Sequence, residues 1–404
     1  MSETEPVPTR FVGLDIHKEY IVAVGVDAAQ AVVLGPLRFS VNELADWSAR
    51  HLTPQDAVVL EMTTNTYAVY DILVPLVHSV TVVHPPHVAL IVRAQVKTDR
   101  KAALALAQLH AAGLLVGIWI PPQPIRDLRA LIAQRWKMVR LATVAKNRLH
   151  SALHRHHLDA PDSSLPFSPK HKAFWLSLPV SVTERAIIAC DWETIEFAER
   201  QKAALEASLA QAAAGDERIP LLVQLPGIGL IGALTLLAAI GDITRFASVK
   251  HLVGYAGLGA RVHDSGTLHQ TGRITKAGRK DIRHIMVEAA QSAARTHAHW
   301  KAELARLEPR IGRRKAIVAI ARKLLVAVWH VLTDQEADRF ANPQQVACSL
   351  LAHAYKMGVK NLPDGQSALQ FTRQQLDRLK LGRDLTHIPW GSNQYKLPPS
   401  TLSG

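Results

Sequence analysis

Residues 11–26 read FVGLDIHKEYIVAVGV, and the rhythm of this stretch decides how the N-terminal third is interpreted. Two apolar runs, 11–15 and 20–26, flank a short polar turn, the pattern of paired strands. Residues 31–39 add a third strand, so the chain opens as an antiparallel meander. Helical spacing follows at 41–51, with Leu44, Trp47 and Leu52 as apolar positions. A short apolar strand at 57–61 ends on an acid. Residues 66–78 are expected as a helix, 79–84 as a fifth strand and, beyond Pro85–Pro86, 98–116 as a helix. Three strands, helix, strand, helix, strand, helix is an RNase H-like order covering about the first 120 residues.

Three carboxylates fall at telling places in that order. Asp15 ends the first strand, Glu61 ends the fourth, and Asp99 opens the last helix. An RNase H-like sheet sets strands one and four side by side with the last helix packed over them, so the three acids can converge. Carboxylate oxygens suit Mg²⁺, and two such ions roughly 3.5–4 Å apart can clamp the attacking and leaving oxygens of a phosphodiester. Each acid alone has a plainer role: a strand-end charge, a loop acid, or, for Asp99, a helix N-cap. The ordered trio is what points to a metal site.

The rest of the chain reads as mainly helical, which makes the fold class α/β plus all-α. Residues 125–157 form one long basic helix carrying Arg126, Arg129, Arg135, Lys137, Arg140, Lys146, Arg148 and Arg155. That array can follow a nucleic-acid backbone, or simply face solvent. After a proline- and serine-rich linker at 159–172, residues 183–214 form a second long helix, and the pair suits an antiparallel coiled-coil arm. A helical unit follows at 219–332 with a glycine-rich middle at 254–278. The tail after 334 is expected as an accessory extension, partly disordered near its end. The domain boundaries are thus 1–121, 122–218, 219–334 and 335–404.

The glycine-rich middle holds a second constellation. Ser265 lies beside Gly266, with Arg261, Arg273, Lys276, Arg279 and Lys280 around it in sequence and His263, His269 and His284 as candidate bases. A serine hydroxyl needs a base or nearby positive charge to act as a nucleophile. The plainer reading is a glycine-rich turn with a basic solvated face. Residues 225–229, LPGIG, resemble the hairpin of helix-hairpin-helix DNA binders, in which Gly227 and Gly229 would bring backbone N–H groups to a phosphate. A tight turn between buried helices fits them equally.

Composition sets limits. The chain has 404 residues, 47 Lys and Arg against 34 Asp and Glu, and a net charge of +13. Such a surplus suits a polyanionic partner. Two cysteines, Cys190 and Cys348, exclude a disulfide framework or a Cys-built zinc site and fit a reducing cytoplasm. The first ten residues lack the basic-then-apolar order of a signal peptide. The uncharged runs at 102–125 and 219–241 are long enough to span a bilayer, but their polar or Pro-Gly interruptions favour buried helices, and no membrane partner is expected.

Taken together, GLDIHK, LEMTTNTY, KTDRKAALALA, LPGIG, GDITRF, LVGYAGL, DSG and GRITKAGRKDIRHIMVEAA resemble the IS110 family of insertion-sequence transposases, or bridge recombinases, over about residues 11–333. That resemblance implies an N-terminal RuvC-like domain with an Asp-Glu-Asp-Asp metal site, a coiled-coil arm and a C-terminal serine transposase domain. It implies Asp15, Glu61 and Asp99 as Mg²⁺ ligands and Ser265 as a nucleophile forming a covalent phosphoserine. Arg148, Arg155, Arg261, Arg273, Lys276, Arg279 and Lys280 would then touch nucleic acid. It further implies a tetramer, a dimer of dimers whose composite sites join the acids of one subunit to the serine of another. A structured noncoding bridge RNA would pair with donor and target DNA. One departure stands out. The family's fourth acid follows the third by three residues, and Ala102 occupies that place. The intact flanking motif favours an inactivated site over a natural three-acid one. A metal-only nuclease or junction resolvase using water remains the alternative.

Overall fold

A computed structural model describes residues 7–91, 98–265 and 268–402, without the side chains of 89–91, 262–265 and 268–271. The chain divides into two compact units, residues 1–121 and 122–404.

The first unit is built on a mixed sheet. Its strands are β1 (Arg10–Ile16), β2 (Tyr20–Asp27), β3 (Val32–Ser40), β4 (Asp56–Glu61) and β5 (Ser79–Val83), and its helices are α1 (Leu44–His51), α2 (Thr66–Leu73), α3 (Pro85–Ile91) and α4 (Asp99–Ala111). The sheet order is β3-β2-β1-β4-β5. β1–β2 and β2–β3 pair antiparallel, whereas β1–β4 and β4–β5 pair parallel. Strands alternate their side chains between two faces. Val12, Leu14 and Ile16 of β1, with Val58 and Leu60 of β4, pack with Leu44, Trp47, Val69 and Leu73 of α1 and α2. The opposite face takes Val22, Val24 and Ala103 in one cluster and Val59 and Leu106 in another. By parity, Asp15 (two after Gly13) and Glu61 (two after Val59) belong to this second face, the one that α4 covers.

Two helices are shorter than the sequence suggests. The 66–78 helix stops at Leu73, and the 98–116 helix stops at Ala111. The latter ends where Gly113 takes φ +67, a left-handed position that closes helices.

The second unit begins with α5 (Gln123–Arg155) and continues through α6 (Lys172–Leu176), α7 (Val182–Ala213), α8 (Arg218–Val223), α9 (Leu230–Ile240) and α10 (Val249–Tyr255). A two-stranded ribbon, β6 (Ala260–Ser265) and β7 (Leu268–Ile274), precedes α11 (Lys280–Thr296), α12 (Ala298–Ile311), α13 (Arg313–Asp334), α14 (Pro343–Met357) and α15 (Ala368–Arg378), and β8 (His387–Trp390) pairs with β9 (Asn393–Lys396). α5 and α7 run antiparallel, because Arg135 pairs with Glu206, Lys146 with Glu199, Arg148 with Asp191 and Arg155 with Glu184. Leu149, Leu153, Trp175, Ile188, Trp192 and Ile195 fill a separate small core in this arm.

The main core of the unit runs from α8 to Leu397, joined by Ile132 of α5 and Leu209 of α7. Leu234, Met286 and Leu325 share it with Leu350, Leu351, Phe371, Leu376 and Leu397, so α14 and α15 are core elements. The residues expected as an accessory extension thus pack into this core as far as Leu397, which is 3% exposed. Among the described residues one helix, α13, is long and apolar enough to cross a membrane, and half of that apolar stretch is buried in the core.

Candidate functional site

The first unit brings two of the three predicted acids together. Leu14 pairs with Leu60 across the parallel β1–β4 ladder, so Asp15 and Glu61 follow at matching positions on adjacent strands. α4 then delivers Asp99. Thr98 caps that helix, its hydroxyl accepting from the Lys101 N–H at 3.3 Å. The capping role considered for Asp99 therefore falls to its neighbour, and the Asp99 carboxylate points elsewhere. Its Oδ2 accepts a hydrogen bond of 2.9 Å from the Tyr20 hydroxyl. Its Oδ1 lies 3.5 Å from His17 Nε2, and Asp15 Oδ2 lies 3.4 Å from the same nitrogen.

Asp15, His17 and Asp99 each offer a ligand atom, and these atoms lie within 4.8 Å of one another. Glu61 lies outside this tightest group, one strand over and half-buried. Two carboxylates and an imidazole, partly exposed and close together, are a donor set that fits a divalent cation. The electrostatics agree. Burial pushes the Asp15 carboxyl above its usual range and Asp99 adds to the push, while His17 opposes both. The hydrogen bond to Asp99 pushes the Tyr20 phenol up.

Sequence reasoning missed three of these residues. His17 and Tyr20 close the β1–β2 turn, where the His17 N–H donates to the Tyr20 carbonyl at 2.9 Å. Their rings stack at 4.5 Å, and the Arg38 guanidinium lies 3.7 Å from the centre of the Tyr20 ring. The signal was present in the GLDIHKEY stretch, but only the fold shows that the turn folds back beside α4.

Ala102 is exposed on α4, one helical turn beyond Asp99. Residues three apart share a helix face, so an acid at 102 would stand beside Asp99.

In the second unit, β6 and β7 form an antiparallel ribbon with Ser265 opposite Leu268 at its far end. The glycine-rich middle of the unit expected as helical thus contains a strand pair. The ribbon's neck is closed by backbone bonds, Thr275 N–H to Gly259 O at 2.8 Å and Arg279 N–H to Tyr255 O at 2.9 Å. The Ser265, His263 and His269 side chains and Gly266 lie outside the described residues. His284 sits on α11, its ring edge-on to Trp136 at 4.9 Å.

The predicted basic residues separate into two groups. Arg261, Arg273, Lys276 and Lys280 are exposed around the ribbon, whereas Arg279 is drawn into a pair with Asp281, its Nε donating at 3.0 Å. On the arm, Arg148 and Arg155 pair with acids of α7, and Arg129 donates from Nε to the Ala238 carbonyl at the end of α9 at 2.7 Å. Lys137 and Arg140 remain exposed. Half of the array anticipated as a nucleic-acid track is thus a helix–helix ladder.

The LPGIG turn is also packed. Gly227 has φ +82, and a Cβ there would lie 2.6 Å from the Ala289 carbonyl oxygen on α11. Gly229 is exposed at the start of α9, and a Cβ there would lie 3.8 Å from Lys356 Nζ of α14.

The chain is similar to known transposases. An IS110-type DEDD transposase model matches residues 12–158, and the model of the IS116/IS110/IS902 transposase family matches residues 219–305. The chain is 27% identical to the transposase for insertion sequence element IS1111A of Coxiella burnetii over 64% of its own length and 72% of that protein. It is 24% identical to a probable family 20 transposase of Pseudomonas aeruginosa over 81% of its length and 98% of the relative. A shorter match, 36% identical over 29% of the chain and 37% of the relative, is to a pilin gene-inverting protein of Moraxella bovis. The first match holds Asp15, Glu61 and Asp99 and the second holds the ribbon, and on these grounds the chain belongs to the IS110 family of transposases.

Proposed function

We propose that this chain is an RNA-guided DNA recombinase in which Asp15, Glu61 and Asp99 hold Mg²⁺ and Ser265 is the nucleophile. The observation that carries the reading is the meeting of Asp15 and Asp99 beneath α4, beside Glu61 on the adjoining strand. The sheet order and strand directions of the first unit support an RNase H-like, RuvC-like identification for it. A resident Mg²⁺ would supply Lewis-acid activation of a phosphodiester and stabilise a departing oxygen.

The chain's own residues account for the remainder. Asp15 and Asp99 concentrate negative charge at the C-terminal end of β1, and Tyr20 fixes the Asp99 carboxylate by its hydrogen bond. Ser265 Oγ attacks phosphorus: the Oγ–P bond forms, the phosphorus–oxygen bond to the leaving strand breaks, and the serine proton passes to a base or solvent. The resulting phosphoserine keeps the phosphodiester energy, so an incoming strand hydroxyl can reverse the step without ATP. Arg261, Arg273 and Lys276 would neutralise phosphates around the ribbon. Bridge RNA would supply target choice by base pairing. A tetramer would join the acids of one subunit to the serine of another. The gene-inverting relative supports rejoining as well as cutting, since inversion requires both.

The test is a denaturing gel of the protein with its element's RNA and both DNAs. With an acid restored by Ala102→Asp, a covalent protein–DNA adduct is expected, absent when Ser265→Ala or Asp99→Asn is added. Free DNA ends with Ser265→Ala fully active would replace this reading with water-driven cleavage by a metal-only nuclease.

A further inference from the structure

His17 is the group in this site that no family ligand pattern accounts for, and its geometry is unusual. Its Nε2 is buried and has no hydrogen-bond partner. Yet it stands almost equidistant from two carboxylate oxygens, at 3.4 Å from Asp15 and 3.5 Å from Asp99. A charge-assisted hydrogen bond would close to about 2.7–2.9 Å. Atoms that ligate one ion at about 2.0–2.1 Å stand instead roughly 3.0–3.4 Å apart when at neighbouring positions around it. At 3.4 and 3.5 Å the nitrogen is too far for such hydrogen bonds and close to the spacing of neighbouring ligands.

The surroundings hold the imidazole in that place. Tyr20 stacks on it at 4.5 Å and donates to Asp99 Oδ2, which leaves Oδ1 as the Asp99 oxygen nearest His17. Ligands oriented by such neighbours lose little freedom on binding.

We propose that His17 is a ligand of the divalent ion shared by Asp15 and Asp99, supplying the fourth protein donor that Ala102 does not. This rests on the metal site proposed above and specifies its chemistry. Imidazole nitrogen suits transition ions such as Zn²⁺, whereas Mg²⁺ takes oxygen; Mn²⁺ favours oxygen but also accepts nitrogen, which makes it the probe. The site is therefore a mixed nitrogen–oxygen site that binds Mn²⁺ through His17 and Mg²⁺ with little help from it.

The experiment uses the full-length protein and Mn²⁺ alone. Mn²⁺ affinity is measured by calorimetry, and bound Mn²⁺ is examined by pulsed electron paramagnetic resonance for coupling to ¹⁴N. The expected result is a ¹⁴N coupling lost in His17→Ala, with Mn²⁺ affinity falling about tenfold or more and Mg²⁺ affinity changing by less than about threefold. Asp99→Asn should abolish Mn²⁺ binding and so locate the ion. Mn²⁺ bound without ¹⁴N coupling, and unaffected by His17→Ala, would overturn the role of His17 while leaving the carboxylate site intact. No Mn²⁺ binding by the unsubstituted protein would overturn both.

Discussion

A Cβ added to Gly13 would lie 2.1 Å from the carbonyl oxygen of Ala103 and 2.7 Å from the backbone nitrogen of Ala107, so β1 and α4 meet backbone against backbone. Asp15 follows Gly13 on the same face, and Asp99 precedes Ala103 by one turn. The distance between the two acids is therefore set by the absence of a side chain at 13. Gly13→Ala must push α4 outward, because the atoms it meets are backbone and cannot rotate away. A loss of about 1–3 kcal/mol is expected from such overpacking, seen as a lower Tm. The rise in Tm on adding Mn²⁺ should shrink as well, since Asp99 moves with the helix. Gly254→Ala on α10 is the control: nothing lies within 4 Å of its added Cβ, and its Tm should hold or rise slightly.

The places of Asp15, Glu61 and Asp99 at two strand ends and a helix start were legible because such ends are marked locally, by apolar runs that stop on a charge. The contact that sets their spacing was not, because nothing in GLDIHK announces which helix crosses Gly13. The same limit explains the arm. Arg148 and Asp191 are 43 residues apart in sequence, and a helical wheel of α5 shows eight cations without showing which of them an opposing helix neutralises. The ribbon was hidden for another reason: its glycines weaken strand propensity, while the neck hydrogen bonds that hold it come from residues on either side of it. At LPGIG both local readings survive as a turn, and only the fold shows that Gly227, though exposed, leaves no room for a side chain against Ala289.

The Arg148–Asp191 pair makes the arm testable. Asp191 is 4% exposed, so removing its partner strands a carboxylate in a nearly dry position. Such a loss costs about 1–3 kcal/mol in full burial, and the half-exposed Arg148 brings the expectation to the low end. Arg148→Ala should therefore lower stability by about 1 kcal/mol, and adding Asp191→Ala should recover part of it in a double-mutant cycle. RNA or DNA binding should respond more to Lys137→Ala with Arg140→Ala than to Arg148→Ala, measured by titration at fixed salt. The reverse order would return Arg148 to the nucleic-acid track.

His353 on α14 gives the second unit a defined acid limit. Burial, aided by Lys356, pushes its imidazole down to about 4 from an ordinary 6.5. The unfolded chain then binds a proton that the folded chain refuses, so stability is complete above about 6.5 and falls as pH drops toward 4. The gap corresponds to at most roughly 3 kcal/mol, spread over that window. Denaturant unfolding at pH 7 and pH 5 should show the loss, and His353→Phe should flatten it. An unchanged pH slope in that variant would assign the acid sensitivity to other groups.

Ala102→Asp tests whether the gap in the acid quartet limits the metal site. Position 102 is exposed and lies one turn beyond Asp99 on α4, so the new carboxylate would meet solvent and the proposed ion rather than the core. An acid near the start of a helix is neutral to slightly favourable for the helix itself, which keeps the stability effect small and the metal effect readable. Added ligand charge should raise Mg²⁺ affinity about tenfold, equal to roughly 1.4 kcal/mol, and raise strand cleavage with RNA and both DNAs present. No gain in either would show that three acids suffice. The substitution should also reduce the dependence on His17. With a third or fourth oxygen donor in reach the ion no longer needs nitrogen, so His17→Ala should cost less Mn²⁺ affinity in the Ala102→Asp background than alone. If the two losses simply add, the two residues do not serve the same ion.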